Sequence, residues 1–214
     1  MEATTASPVT FSLNVGGYPH EVLSTFARAP CFYSQLSSDS DMTSVWRFLL
    51  AATQERYVVC CGSRAKDPKI PEKDEGIIAS HTYTLLGSYE VNIEGGIHRL
   101  VKLRNPWDFK SYHGRYSHHD EEFWKKVEPA VANKLGFSKN SNSGVLFMSF
   151  ADLLEKFESC DISHVRPSFS YNFETCSSEK RHGIYFEVEI KAEKATECYF
   201  TLHQNSLRSS TDSF

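Results

Sequence analysis

The chain has 214 residues, with 23 Lys and Arg against 27 Asp and Glu, a formal net charge of −4. Hydrophobic residues make up 40% and charged residues 23%, a globular balance that excludes a disordered tail or a collagen-like fibre and leaves enough apolar material for a core without staples. A mildly acidic chain without clustered Lys and Arg also argues against a nucleic-acid partner. The six cysteines include no Cys-x-x-Cys pair, so zinc-site spacing is missing, and scattered thiols suit a reducing, cytoplasmic location. Residues 1–8 carry neither a basic region nor an apolar run, and no later stretch approaches the roughly 18 apolar residues of a membrane span.

Taken in chain order, the first helix is signalled by Pro19 at a first-turn position before Val22, Leu23 and Phe26. Met42, Val45, Trp46, Leu49 and Leu50 follow at helical spacing, with Asp39, Ser40 and Asp41 available as caps. Tyr57 to Cys61 reads as a short strand stopped by Gly62, and a polar loop with Pro68 and Pro71 comes next. Two long strand-like runs, His81 to Val91 and His98 to Arg104, are separated by a Gly95-Gly96 hairpin signal. A turn rich in His and acidic residues leads into a helix through Phe123 and Trp124. Phe150, Leu153, Leu154 and Phe157 mark a third amphipathic helix, with Ser149 as N-cap and Asp152 three residues on. Beyond Pro167 the texture changes to two strand-like runs, Ile184 to Ile190 and Cys198 to Leu202.

The hairpin carries the first chemical suggestion. For a loop centred near residue 94 or 95, facing residues have numbers that add to about 189. His81 and Asn105 fall about three positions short of that register, and a bulge at Gly87 would absorb part of the slip. A His beside a side-chain amide is the base-and-orienter half of a nucleophilic site: the amide oxygen accepts from one ring nitrogen and leaves the other to take a proton. Trp107 would cover that hydrogen bond. The plainer reading treats His81 as a strand-end residue and Asn105-Pro106 as an ordinary turn. His113, His118, His119, Asp120, Glu121 and Glu122 could ligate a transition metal, but a solvated loop fits the same residues. The charges from Lys66 to Glu75 read as a solvated loop.

The segment Gly76-Ile77-Ile78-Ala79-Ser80-His81-Thr82-Tyr83-Thr84-Leu85 resembles the stretch of calpain proteases around their catalytic His. Val101-Lys102-Leu103-Arg104-Asn105-Pro106-Trp107 is similar to the calpain Arg-Asn-Pro-Trp motif, and Tyr112 to Ser117 to its continuation. Phe147-Met148-Ser149-Phe150-Ala151-Asp152-Leu153 resembles the Met-Ser-Phe helix start, and Gly16-Gly17 the opening of the same lobe. This resemblance implies an α+β fold: residues 1–166 as the second lobe of a papain-like protease domain, a twisted antiparallel sheet flanked by helices. Residues 167–214 would then hold a few strands of an incomplete β-sandwich of the C2-like type.

By the same resemblance the activity is a cysteine-type endopeptidase acting on protein substrates. His81 would be its acid and base, Asn105 the residue that orients it, and Trp107 the shield. The nucleophilic Cys of calpains sits on a separate, upstream lobe in a Gln-x-x-x-Gly-x-Cys-Trp setting absent from this sequence, so that lobe is expected in cis or in trans and the 214-residue chain alone is expected to be inactive. The alternative is a non-catalytic interaction or regulatory module of the same descent. Calcium activates conventional calpains through acidic residues whose positions fall near Ser111, His118, Ser143 and Val145. None of these is a carboxylate, so calcium binding there is not expected.

Overall fold

The computed structural model describes residues 18–27, 29–36, 41–65, 76–107, 112–139, 144–166, 168–172 and 187–202. Its framework is one six-stranded sheet in the order β1-β6-β2-β3-β4-β5, every pair antiparallel. The strands are β1 (Cys31–Gln35), β2 (Val58–Ser63), β3 (Thr82–Ile93), β4 (Gly96–Arg104), β5 (Val145–Ser149) and β6 (Phe157–Ser163).

Helices cover both faces. On one, α2 (Met42–Gln54) brings Trp46, Leu49 and Ala52, and α5 (Phe150–Lys156) brings Phe150, Leu153 and Leu154. They meet Val59, Cys61, Tyr83, Leu85, Val101, Leu103, Met148 and Ile162 in the main core. These sheet residues lie two apart along each strand, as the pleat requires for a shared face. On the other face Leu100 and Phe147, which alternate with those residues, and Val91 and Ile93, which the register shift between Leu85 and Gly87 turns to that side, form a second core with α3 (Glu121–Lys126) and α4 (Pro129–Leu135). The first helix, α1 (Pro19–Ala27), buries none of its residues. It is tied down by His20, whose Nδ1 lies 2.6 Å from Oδ1 of the fully buried Asp161.

Local chemistry sets the helix ends. Asp41, the last of the three candidate caps, accepts from the Thr43 N–H and the Ser44 hydroxyl. At α5, Ser149 Oγ accepts from the Asp152 N–H at 3.1 Å. The Asp152 carboxylate in turn takes the Arg115 guanidinium at 2.6 Å and the Tyr112 hydroxyl at 2.7 Å. Burial alone would raise the Asp152 pKa, but hydrogen bonds from Arg115, Tyr112 and Ser149 outweigh it and hold the carboxyl below its usual range.

Three sequence expectations change. β2 does not stop at Gly62 but runs through it to Ser63, because a Cβ at Gly62 would lie 2.6 Å from Ser159 Oγ, and glycine lets β6 approach that closely. Phe157 is not the last residue of α5: it turns extended and opens β6, fully buried against Tyr83. Residues 187–190 and 198–202 form no strand, and Val188, Ile190, Phe200 and Leu202 stand more than half exposed. Among the described residues these two short runs pair with no strand, and a strand needs a ladder for its backbone groups. The expected loop from Lys66 to Glu75 lies outside the described residues.

The Asp152 cluster gives a signed prediction. A depressed folded-state pKa contributes stability that is present above the unfolded value, about 4, and is lost as pH falls through the folded value. Urea unfolding of Asp152→Asn is expected to show about 2 kcal/mol less stability at neutral pH and a weaker loss on the acid side than the parent chain.

Candidate active site

The β3–β4 hairpin positions the two residues singled out by the sequence. Its loop is Glu94-Gly95, with φ of 52° and 82°, the positive values that two-residue hairpin loops require. Pairing runs from Ile93↔Gly96 to Gly87↔Lys102, then shifts by one between Leu85 and Gly87, so that Leu85 faces Leu103 and Thr84 faces Arg104. The bulge supplies one position of the slip between His81 and Asn105. The other two positions lie beyond the last pair, Thr84↔Arg104, where β3 goes on to pair with β2 alone.

There His81 Nε2 and Asn105 Oδ1 lie 3.0 Å apart. The same Oδ1 accepts the Trp107 N–H at 3.0 Å, which makes Asn105-Pro106-Trp107 an Asx-turn. Thus the ordinary turn and the orienting amide are one feature, served by one oxygen. An oxygen already accepting from Trp107 faces His81 as an acceptor, so Nε2 carries the hydrogen and Nδ1 of the neutral ring is left bare. Asn105 is 1% exposed, and its backbone N–H is fixed on Gly144 O at 2.8 Å. The Trp107 indole lies over the imidazole, ring centroids 4.2 Å apart at 40°. The buried Tyr83 ring meets the imidazole edge-on at 5.1 Å.

Sequence reading had no signal for Ser63, which the structure places against the His81 backbone: its Oγ accepts the His81 N–H at 3.0 Å and donates to Ile78 O at 2.6 Å. A lone Ser after a Gly carries no periodicity, and only the pairing of β2 with β3 brings it there.

Apart from the exposed Cys198, the described thiols are buried or half-buried. Cys61 and Cys160 are register partners on β2 and β6, their sulfurs 3.3 Å apart. Their mutual hydrogen bond and burial raise the Cys61 pKa well above normal. Burial pushes Cys60 up to about 11 and raises Cys31. Among the described residues no thiol is hydrogen-bonded to His81, and none of these three carries the lowered pKa of a nucleophile.

Of the four positions named above for calcium, His118 and Val145 lie among the described residues. His118 is stacked on Phe137 at 5.4 Å and edge-on to Phe147 at 5.6 Å. Burial, then His119 and Lys102, push its pKa below normal. The Lys102 ammonium is itself fixed nearby, donating to Leu135 O at 2.8 Å, and Val145 offers no side-chain oxygen. Ser111 and Ser143 lie outside the described residues. The polar turn before α3 is occupied by structural contacts: Asp120 accepts from the N–H groups of Tyr116 and Phe123, Glu121 pairs with Lys139 and Lys125, and His113 stacks on His119. Among the described residues no group of three or more His, Cys, Asp and Glu is arranged to hold a metal, and no helix is long and apolar enough to cross a membrane.

Among the described residues, the imidazole of His81 is thus held by the buried amide of Asn105 at one end of the antiparallel sheet. Comparison with known proteins gives the family. The family model described as calpain family cysteine protease matches residues 8–164, and the chain belongs to that family. Calpain-8 of Rattus norvegicus is 30% identical over 106 residues, 50% of this chain and 14% of that protein. The calpain-2 catalytic subunit of Gallus gallus is 29% identical over 91 residues, 42% of this chain and 13% of that protein. The aligned part of the chain therefore spans about one seventh of these relatives.

Two outcomes follow. Asn105→Ala is expected to cost about 2 kcal/mol in denaturant unfolding, since it removes the acceptor of two N–H groups. Native-state alkylation near neutral pH, read by peptide mass mapping, is expected, among the five described thiols, to modify the exposed Cys198 first and to spare Cys61 and Cys160.

Proposed function

We propose that this chain is the His/Asn lobe of a calpain-like cysteine endopeptidase. The observation that supports it is the 3.0 Å contact between His81 Nε2 and the buried Asn105 Oδ1, with Trp107 over the ring. His81 Nδ1 takes the proton of a thiol supplied by a nucleophile lobe, in cis or in trans. The thiolate attacks the substrate carbonyl, and the imidazolium returns the proton to the leaving amine, giving a thioester that water then hydrolyses. Asn105 keeps the ring in the required tautomer, and Trp107 shields the pair from water. In this reading the lobe ends at about residue 166, close to the end of β6 and of the family match at 164. Residues 167–214 then open a β-sandwich domain whose strands form once partner strands are present.

The test joins a calpain nucleophile lobe to this chain and measures peptide cleavage together with labelling by a thiol-directed probe. The expected result is turnover that His81→Ala reduces by about 10³-fold or more, and none for the 214-residue chain alone. A well-folded joined protein that neither cleaves nor labels would remove the enzyme reading. It would favour a non-catalytic module.

We also propose that this lobe works without calcium at the family position, because His118 and Val145 stand where ligands are needed. A saturated site stabilises a fold by about 2.7 kcal/mol at a hundred times its Kd. Millimolar calcium is expected to leave the thermal midpoint of this chain unchanged; a rise that saturates would contradict the proposal.

A further inference from the structure

The loop that delivers His81 runs from β2 to β3 and ends in an unfavourable conformation. Ser80 has φ 50°, the left-handed region that costs a residue with a Cβ about 1–2 kcal/mol. Something must hold the backbone there, because His81 meets Asn105 only if the chain reverses just before β3.

Ser63 does most of this holding. It is 2% exposed and sits where the β2–β6 register shifts, between Gly62 and Ser63. Its Oγ accepts the His81 N–H at 3.0 Å, its hydroxyl hydrogen goes to Ile78 O at 2.6 Å, and its own N–H donates to His81 O at 2.9 Å. One residue thereby satisfies both backbone groups of His81 and one at the start of the turn. Two neighbours complete the clamp. Arg64 O accepts the Ser80 N–H at 3.1 Å, and the Tyr83 hydroxyl accepts the Ile78 N–H at 2.9 Å while its ring lies edge-on to the imidazole.

We infer that Ser63 is a positioning residue for His81: it fixes the His81 backbone so that the ring reaches Asn105 Oδ1 in a single orientation. This deepens the reading of His81 as the acid and base, but its first test does not depend on that reading. A residue serving only stability would lower the unfolding midpoint and leave the imidazole unchanged.

The experiment records the side-chain nitrogen resonances of His81 across a pH titration in the full chain, for the parent, Ser63→Ala and Asn105→Ala. The Ser63→Ala ring is expected to lose its fixed tautomer, both nitrogens moving toward averaged shifts in the direction set by Asn105→Ala. Ser63→Cys, nearly isosteric with a weaker donor and acceptor, is expected to move them part of the way and serves if Ser63→Ala does not fold. In a joined two-lobe enzyme, Ser63→Ala is expected to lower kcat by about 10²-fold, as small displacements do, with KM little changed. His81 resonances in a folded Ser63→Ala or Ser63→Cys protein that match the parent would overturn the inference. An inactive joined parent enzyme with the resonance changes intact would instead overturn only the enzyme reading.

Discussion

The side-chain oxygen of Asn105 is the point on which this site turns. It accepts two N–H groups at 3.0 Å, one from the His81 ring and one from the Trp107 backbone. The second bond decides how the amide faces, and the amide then decides which ring nitrogen keeps its hydrogen. Because the residue is buried, water does not replace either bond. The turn also brings the Trp107 indole over the ring it serves. A local backbone motif and a long-range side-chain contact thus share one acceptor, and neither keeps its geometry without the other.

The sheet brings three strand ends together beside His81. β3 and β4 share a hairpin with a one-residue bulge, and β2 carries Ser63 to the same end. The covering helices are held by contacts of their own, including the Asp152 cluster at α5 and Lys102 at the end of α4. The buried thiols Cys61 and Cys160 are packed as small apolar groups between β2 and β6.

Much of this was legible in the sequence because its signals are local. Helical spacing marked α2 and α5, the glycines marked the hairpin, and counting outward from the loop brought His81 within reach of Asn105. The motifs around those two residues carried the resemblance that the family match then bore out. What escaped was non-local. β6 reads Phe-Glu-Ser-Cys-Asp-Ile-Ser, and nothing in that string announces that Asp161 and Ser163 are buried beneath neighbouring strands. β5 is short and runs directly into α5, so its residues read as a helix opening. Ser63 gained its importance only from the register of β2 against β3. Conversely, the alternating runs after residue 184 had the composition of strands, yet among the described residues 187–190 and 198–202 pair with no strand, and composition without a partner makes no ladder.

The account depends on where one hydrogen sits. Neutron diffraction from a deuterium-exchanged crystal near neutral pH places that atom directly, without any assay of activity. The arrangement described here predicts a deuteron on His81 Nε2 pointing at Asn105 Oδ1. A bare Nε2 facing an Asn105 amide rotated so that its nitrogen donates to the ring would contradict it.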